Sequence, residues 1–323
     1  MEGKRKVIID CDPGIDDSLA LLLALKSPEL EVKGITVVCG NVPTKQGVEN
    51  TLKVLELTNS LHIPVYFGEE NPLVRELVTA QDTHGEDGVG RCFFPKVEGG
   101  LVRNEAVDFI IESLRTEDKL SIIALGPLTN LAKAIRKDKE VFNNLDEFVS
   151  MGGSFRSHGN CSPVAEFNYW VDPHGADYVY KNLKKKVHMV GLDVTRKIVL
   201  TPNILELINR LGGQMAKYII DITKFYVDFH WKQEGIIGCV INDPLAVAYF
   251  IDRSLCSGFS SYTEVVKKGI AMGQTIVDVE DFWKKQHNSV ILQEVDASKF
   301  MYMFLQRLFP ESVEVIASVK GVI

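Results

Sequence analysis

Four aspartates within eight residues, Asp10, Asp12, Asp16 and Asp17, are the densest chemistry-bearing group in this 323-residue chain. Carboxylates folded together repel one another, and the arrangement costs free energy unless a cation neutralises it. Their oxygens are hard donors, suited to calcium or magnesium rather than to a closed zinc site, and calcium is the expected ion. The surrounding pattern says how they are held. Val7, Ile8 and Ile9 form a β-branched run typical of a strand buried on both faces, and Pro13-Gly14 interrupts it. From Ser18, Leu19, Leu22, Leu23 and Leu25 recur at helical spacing, which puts Asp16 and Asp17 at a helix N-terminus, where the macrodipole favours negative charge. Asp10 and Asp12 then sit at the C-terminal end of a strand, the edge at which open α/β sheets bind ligands.

The rest of the chain supplies the elements around that edge. A strand over 31–38, a helix over 44–59 and a strand over 64–67 complete a β-α-β-α-β run, the pattern of a parallel, doubly wound sheet with right-handed crossovers. Further strands are expected at 120–125, 147–151 and 187–192, with helices over 104–116, after Pro127, and over 172–183. A helical block over 201–233, carrying Phe225, Tyr226, Phe229, His230 and Trp231, can cover a pocket at the sheet edge. Strands at 260–266, 274–279 and 289–294 and a helix over 296–309 close the chain. The expected fold is an open, mostly parallel, doubly wound (Rossmann-like) α/β sheet with helices on both faces and a helical lid. No linker or low-complexity tract divides the chain, so residues 1–323 read as one domain.

Composition narrows the function. A net charge of −7 argues against a broad nucleic-acid-binding face and for a small-molecule substrate. Six cysteines lie scattered without a framework, which suits free thiols in a reducing, cytoplasmic setting. The apolar run Leu19–Leu25 is too short to span a bilayer, and Lys4-Arg5-Lys6 leads into a strand rather than a signal segment. Polar residues recur where strands should end: Asn41, His84 in a long irregular stretch over 68–100, and Asn160 in a loop after Met151. In an extended segment over 165–173, Glu166 and Asn168 would project from one face, a carboxylate and an amide suited to a polyol.

Asp10-Cys11-Asp12-Pro13-Gly14-Ile15-Asp16-Asp17 resembles the N-terminal signature of the nucleoside hydrolase family, calcium-dependent N-ribohydrolases that cleave nucleosides to base and ribose. The resemblance continues through Gly40-Asn41, Thr83-His84-Gly85, Leu125-Gly126-Pro127, Ala165–Pro173 and Asn242-Asp243-Pro244. It implies that Asp12, Asp17, Asp243 and the Leu125 carbonyl hold Ca²⁺, and that Asp12 doubles as general base toward a water held by the calcium. By the same resemblance Asp16, Asn41, Met151, Asn160, Glu166, Asn168 and Asp243 surround the ribose, Asn242 lies beside them, and His84 reaches the base end. His230, on the lid, is a second candidate for protonating the leaving base. The implied assembly is a homodimer or homotetramer, although no interface signature is visible.

One departure bears on the chemistry. Many family members carry His immediately before the second metal-binding Asp, and here that residue is Asn242, which cannot deliver a proton at ordinary pH. Two other readings therefore stand beside the hydrolase: a calcium-dependent nucleoside-binding protein with impaired turnover, and a haloacid-dehalogenase-type magnesium phosphatase. The phosphatase also begins with strand-Asp-x-Asp but usually has Thr or Val where Gly14 stands, and it leaves Glu166, Asn168 and Asp243 without a role.

Overall fold

The computed structural model describes residues 3–319 and residue 321. Val7, Ile8 and Ile9 are fully buried in the first strand, β1 (Arg5–Cys11), as a strand covered on both faces requires. Helix α1 (Ile15–Lys26) follows at once and starts three residues before the apolar periodicity does. The Pro13-Gly14 break is its capping turn: Gly14 is the N-cap, and Asp17 accepts the Gly14 N–H at 2.9 Å. Asp16 and Asp17 thus lie in the first turn, as expected.

The alternation continues through β2 (Leu30–Val37), α2 (Thr44–Leu57), β3 (Pro64–Phe67), a four-residue α3 (Gln81–His84), β4 (Leu101–Arg103), α4 (Ala106–Thr116), β5 (Ser121–Ala124), α5 (Thr129–Lys137) and β6 (Phe148–Met151). Then come α6 (Phe167–Val171), α7 (Pro173–Asn182), β7 (Val187–Val190), α8 (Leu192–Thr195), β8 (Val199–Leu200), α9 (Pro202–Leu211) and α10 (Gly213–Glu234). The chain proceeds through β9 (Cys239–Val240), α11 (Asp243–Ile251), β10 (Cys256–Val265), β11 (Thr275–Asp278), β12 (Ser289–Val295), α12 (Ala297–Leu308) and α13 (Val313–Ser318).

Ten strands form one sheet in the order β11-β10-β12-β7-β6-β5-β1-β2-β3-β4, with β8 and β9 paired separately. Every pairing from β12 to β4 is parallel, and β10 runs antiparallel to β11 and β12. β1 is flanked by β2 and β5, so the chain winds outward in one direction from β1 to β4 and in the other from β5 to β7. That reversal is the topological switch point, where parallel sheets leave a crevice at the strands' C-terminal ends.

Two largely buried helices anchor the crevice from behind. Residues Ile15–Ala24 of α1 and Asp243–Phe250 of α11 are all buried, and the two helices pack against each other. Helices buried all round belong in the core of a large domain, and here both begin with acids of the same cluster.

The structure corrects the extended reading of residues 165–173. Glu166 is instead the N-cap of α6, accepting the backbone N–H of Asn168 at 2.7 Å and of Tyr169 at 3.2 Å, and capping turns the chain helical at Phe167. The helical block expected over 201–233 is two helices, α9 and α10, separated at Gly212 and Gly213, which have φ of 73° and 83°. The short strands β4, β8 and β9 were not anticipated. Among the described residues no helix is long and apolar enough to cross a membrane, and all six cysteines are unpaired.

Candidate active site

The C-terminal ends of the central strands open into a cavity of about 350 Å³, within the range of small-molecule sites. Its floor is the carboxylate cluster. One oxygen each from Asp16, Asp17 and Asp243 lies within 4.8 Å of the others, an arrangement that can hold a metal ion. Asp12 is fully buried beside them; Asn41 donates its backbone N–H to Asp12 Oδ2 at 2.7 Å, and Asp12 Oδ1 has no partner. Gly40 and Gly126 are required here, because a Cβ at either would lie 1.9 Å and 2.4 Å from the Asp12 carboxylate oxygens.

Asp17 is the best-anchored of the four. Its oxygens accept from the backbone of Asp12 and Gly14 and from Asn41 Nδ2 at 2.9 Å. Asp16 Oδ2 accepts from Asn242 Nδ2 at 3.0 Å, from the Asn242 backbone N–H and from the Tyr226 hydroxyl, both at 3.3 Å. The energetic signature is that of crowded anions. Burial, then the charge of Asp17, pushes Asp12 well above the usual carboxylate range; burial and Asp16 do the same to Asp243; and burial with Asp16 raises Asp17 to about 6.

The Leu125 carbonyl, one residue past β5, faces this floor and accepts from Asn168 Nδ2 at 2.6 Å. Asn168 also reaches the Met151 carbonyl at 3.2 Å. Glu166 lines the cavity, but its carboxylate is also structural, accepting from Gly153 N–H at 2.8 Å besides the α6 cap, and burial raises it to about 7. Asn160 sits at the exposed rim, with Oδ1 taken by the Phe167 N–H at 2.9 Å.

The far end of the cavity is aromatic and histidine-lined. His84 and His230 both face it and are both buried. His84 Nδ1 accepts the Ile15 backbone N–H at 3.1 Å, which leaves the proton of the neutral ring on Nε2. His230 does the opposite, because the partner of its Nδ1 is the Tyr226 carbonyl at 2.9 Å, which can only accept. Burial lowers the pKa of both imidazoles, so both are neutral at pH 7. Of the five lid aromatics, Tyr226, Phe229 and His230 line the cavity; Trp231 is exposed and Phe225 lies under Arg91.

All the expected site residues, Asp12, Asp16, Asp17, Asn41, His84, Leu125, Met151, Asn160, Glu166, Asn168, His230, Asn242 and Asp243, therefore converge on this one region. Asp10, the first acid of the run, does not. It is buried under the floor, with Oδ1 held by Thr36 at 2.5 Å and Asn130 at 2.7 Å, and burial raises it to about 7. Thr36 and Asn130 were missed, as was Arg196, which lines the wall and donates to the Gly159 carbonyl at 3.0 Å.

Residues 7–302 match the family described as inosine-uridine preferring nucleoside hydrolase. The chain is 33% identical over 305 residues to the pyrimidine-specific ribonucleoside hydrolase RihA of Salmonella typhimurium, covering 94% of this chain and 97% of that one. It is 36% identical over 279 residues to uridine nucleosidase 1 of Arabidopsis thaliana, covering 85% and 83% respectively. Among solved structures, the purine-preferring ribonucleoside hydrolase of Gardnerella vaginalis superposes with a TM-score of 0.89 at 32% identity, covering 96% of this chain and 99% of that one.

Proposed function

The chain belongs to the inosine-uridine preferring nucleoside hydrolase family, and from that premise we propose that this enzyme cleaves the N-glycosidic bond of ribonucleosides, releasing base and ribose, over the carboxylate floor of the cavity. One observation carries the reading: Asp12 is fully buried among three other acids and keeps one oxygen without a partner. A buried anion so placed requires positive charge. The donor set fits a hard divalent cation, because carboxylates and a carbonyl are oxygen donors only. Asp12, Asp17, Asp243 and the Leu125 carbonyl would hold calcium. When bound, calcium supplies the charge that lets these carboxylates stay ionised at neutral pH and orients water and the ribose diol beside them.

The protein's own groups divide the remaining work. Asp12 takes the proton of the attacking water at Oδ1, the oxygen that Asn41 leaves free. Asp16, with Oδ2 held by Asn242 and Tyr226, keeps Oδ1 to accept from a ribose hydroxyl. Asn41, Met151, Asn160, Glu166, Asn168 and Asp243 surround the sugar. As the C–N bond lengthens, positive charge grows on the ribose ring, and the ionised carboxylates beneath it stabilise that charge. At the base end His84 offers Nε2–H and His230 offers Nε2. Being neutral, these rings assist the departing base through hydrogen bonds rather than through a stored imidazolium proton. Asn242 gives no proton, and its Nδ2 donates to Asp16.

The named relatives differ in base preference, so the base is left to experiment. Ribose release is to be measured from purine and pyrimidine ribonucleosides, with phosphate release from a phosphomonoester assayed in parallel. Ribose from any nucleoside supports the hydrolase; phosphate alone would support a phosphatase, and tight nucleoside binding without either product would support a binding protein. A single domain accords with Asp12 and Asp243 lining one cluster, and a cytoplasmic setting accords with six unpaired thiols. The homodimer or homotetramer rests on the family resemblance and is checked by light scattering.

A further inference from the structure

Asn50 lies on α2, remote in sequence from both segments it joins, and is buried. Its Nδ2 donates to two backbone carbonyls at once, those of Pro13 and Asp87, each at 2.9 Å. Its Oδ1 accepts from Gln46 Nε2 at 3.1 Å. Pro13 belongs to the turn between Asp12 and Asp16; Asp87 belongs to the loop that starts at His84. One planar amide therefore bridges the carboxylate turn and the histidine loop, a geometry for which its two N–H donors are suited.

The loop has little freedom to sit elsewhere. The Asp87 carboxylate gathers the N–H groups of Val89, Arg91 and Phe93 at 3.0, 2.8 and 2.7 Å, and the Gly90 N–H donates to the His84 carbonyl at 2.8 Å. Gly88 and Gly90 have φ of 75° and 76°; a Cβ at Gly88 would come within 2.9 Å of Asn50 Nδ2, and one at Gly90 within 2.6 Å of the Ile222 carbonyl on α10. The loop is thus wedged between the carboxylate turn and the lid helix. At its start, the His84 ring lies so close to Gly14 that a Cβ there would meet Nδ1 at 2.7 Å.

We infer that Asn50 is a positioning residue for His84: its amide fixes the distance between the imidazole at the base end and the carboxylates at the sugar end. The inference rests on the proposed placement of His84 beside the leaving base. Removing the amide leaves two buried carbonyls without a donor, and the loop, whose other bonds from Asp87 lie within itself, is the segment expected to shift in response.

The test uses full-length, calcium-loaded protein carrying Asn50→Leu, of similar volume without donors, or Asn50→Asp should the leucine variant fail to fold. Gln46→Ala, which touches only Oδ1, is the control. Hydrogen exchange over residues 84–93 is expected to rise about ten- to a hundredfold in the Asn50 variant, with the central strands and the control unchanged. The kcat/KM for ribose release is expected to fall about tenfold in an otherwise wild-type enzyme, and by less than about twofold when added to His84→Ala, because coupled residues are non-additive. Unchanged loop exchange, or an equal loss in both backgrounds, overturns the positioning role while leaving the hydrolase reading intact. An undiminished His84→Ala enzyme overturns both the role given to His84 and the positioning role built on it.

Discussion

Replacing Asp243 by Asn should make the cation-free protein more stable while destroying its response to calcium. The Asp243 carboxyl lies at the N-terminus of the buried helix α11, and the charges that raise its pKa are Asp16, Asp17 and Asp12. At the 4.8 Å limit of the cluster, one pair of unit charges costs about 3.5 kcal/mol at an effective dielectric constant of about 20. Two such neighbours would exceed the roughly 4 kcal/mol needed to keep one carboxyl protonated at pH 7, so protonation sets the ceiling. Asn keeps the shape and offers an N–H₂ to Asp17, the acid with which Asp243 interacts directly. The expected gain is therefore about 3–4 kcal/mol. For 323 residues the unfolding entropy is about 0.7 kcal/mol/K, so the apparent Tm should rise by about 5 °C. Thermal scans in chelator at pH 7 measure this, and saturating calcium should reverse the order by stabilising wild type alone. A lower Tm for Asp243→Asn in chelator would refute the claim that crowded anions dominate the energetics of this floor.

Other expectations follow from the same geometry. Asp12→Asn should lower kcat by about 10²–10⁴ at saturating calcium; a kcat within tenfold of wild type would remove Asp12 as general base. Glu166→Gln turns an N–H₂ either toward the Asn168 N–H or toward the Gly153 and Tyr169 N–H groups, and should cost about 1–3 kcal/mol of stability together with a raised KM. Folded-state values of about 6 for Asp17 and about 7 for Asp10 and Glu166 lie above their unfolded values. Their contribution to stability is therefore full below about pH 4 and lost as pH rises through 6–7. In chelator the Tm should accordingly decline between pH 5 and 8, and calcium should flatten the part due to Asp17. Glu264 behaves oppositely: hydrogen bonding from Lys285 lowers it to about 2, so what it contributes is lost only as pH falls from about 4.5 toward 2.

Legibility tracked sequence distance. The turn from β1 into α1 could be read because everything that shapes it is local: a β-branched run, a Pro-Gly break and acids in a first helical turn. Gly14, which reads as ending the strand, is also the cap of the helix that follows. The parallel sheet and its switch point followed from alternation of strands and helices. What escaped was set by partners far along the chain. Asp10 is sequestered by Asn130, 120 residues away, and by Thr36 from the neighbouring strand. Asn50 meets residues 37 positions away on either side. The segment at Glu166 was misread for a different reason. Period-two spacing of polar groups is equally compatible with a cap followed by a short helix, and the cap's bonds to Asn168 and Tyr169 decided between them. Strands of two or three residues such as β8, β9 and β4 carry no period at all.

Loaded with calcium, this carboxylate floor is expected to hydrolyse ribonucleosides. The most direct measurement is ribose release from uridine and inosine by protein stripped with chelator and then titrated with calcium. The stripped protein should show no turnover, and activity should rise to saturation near one calcium per chain. Full ribose release in the presence of chelator, or none at any calcium concentration from folded protein with any ribonucleoside, would contradict that expectation.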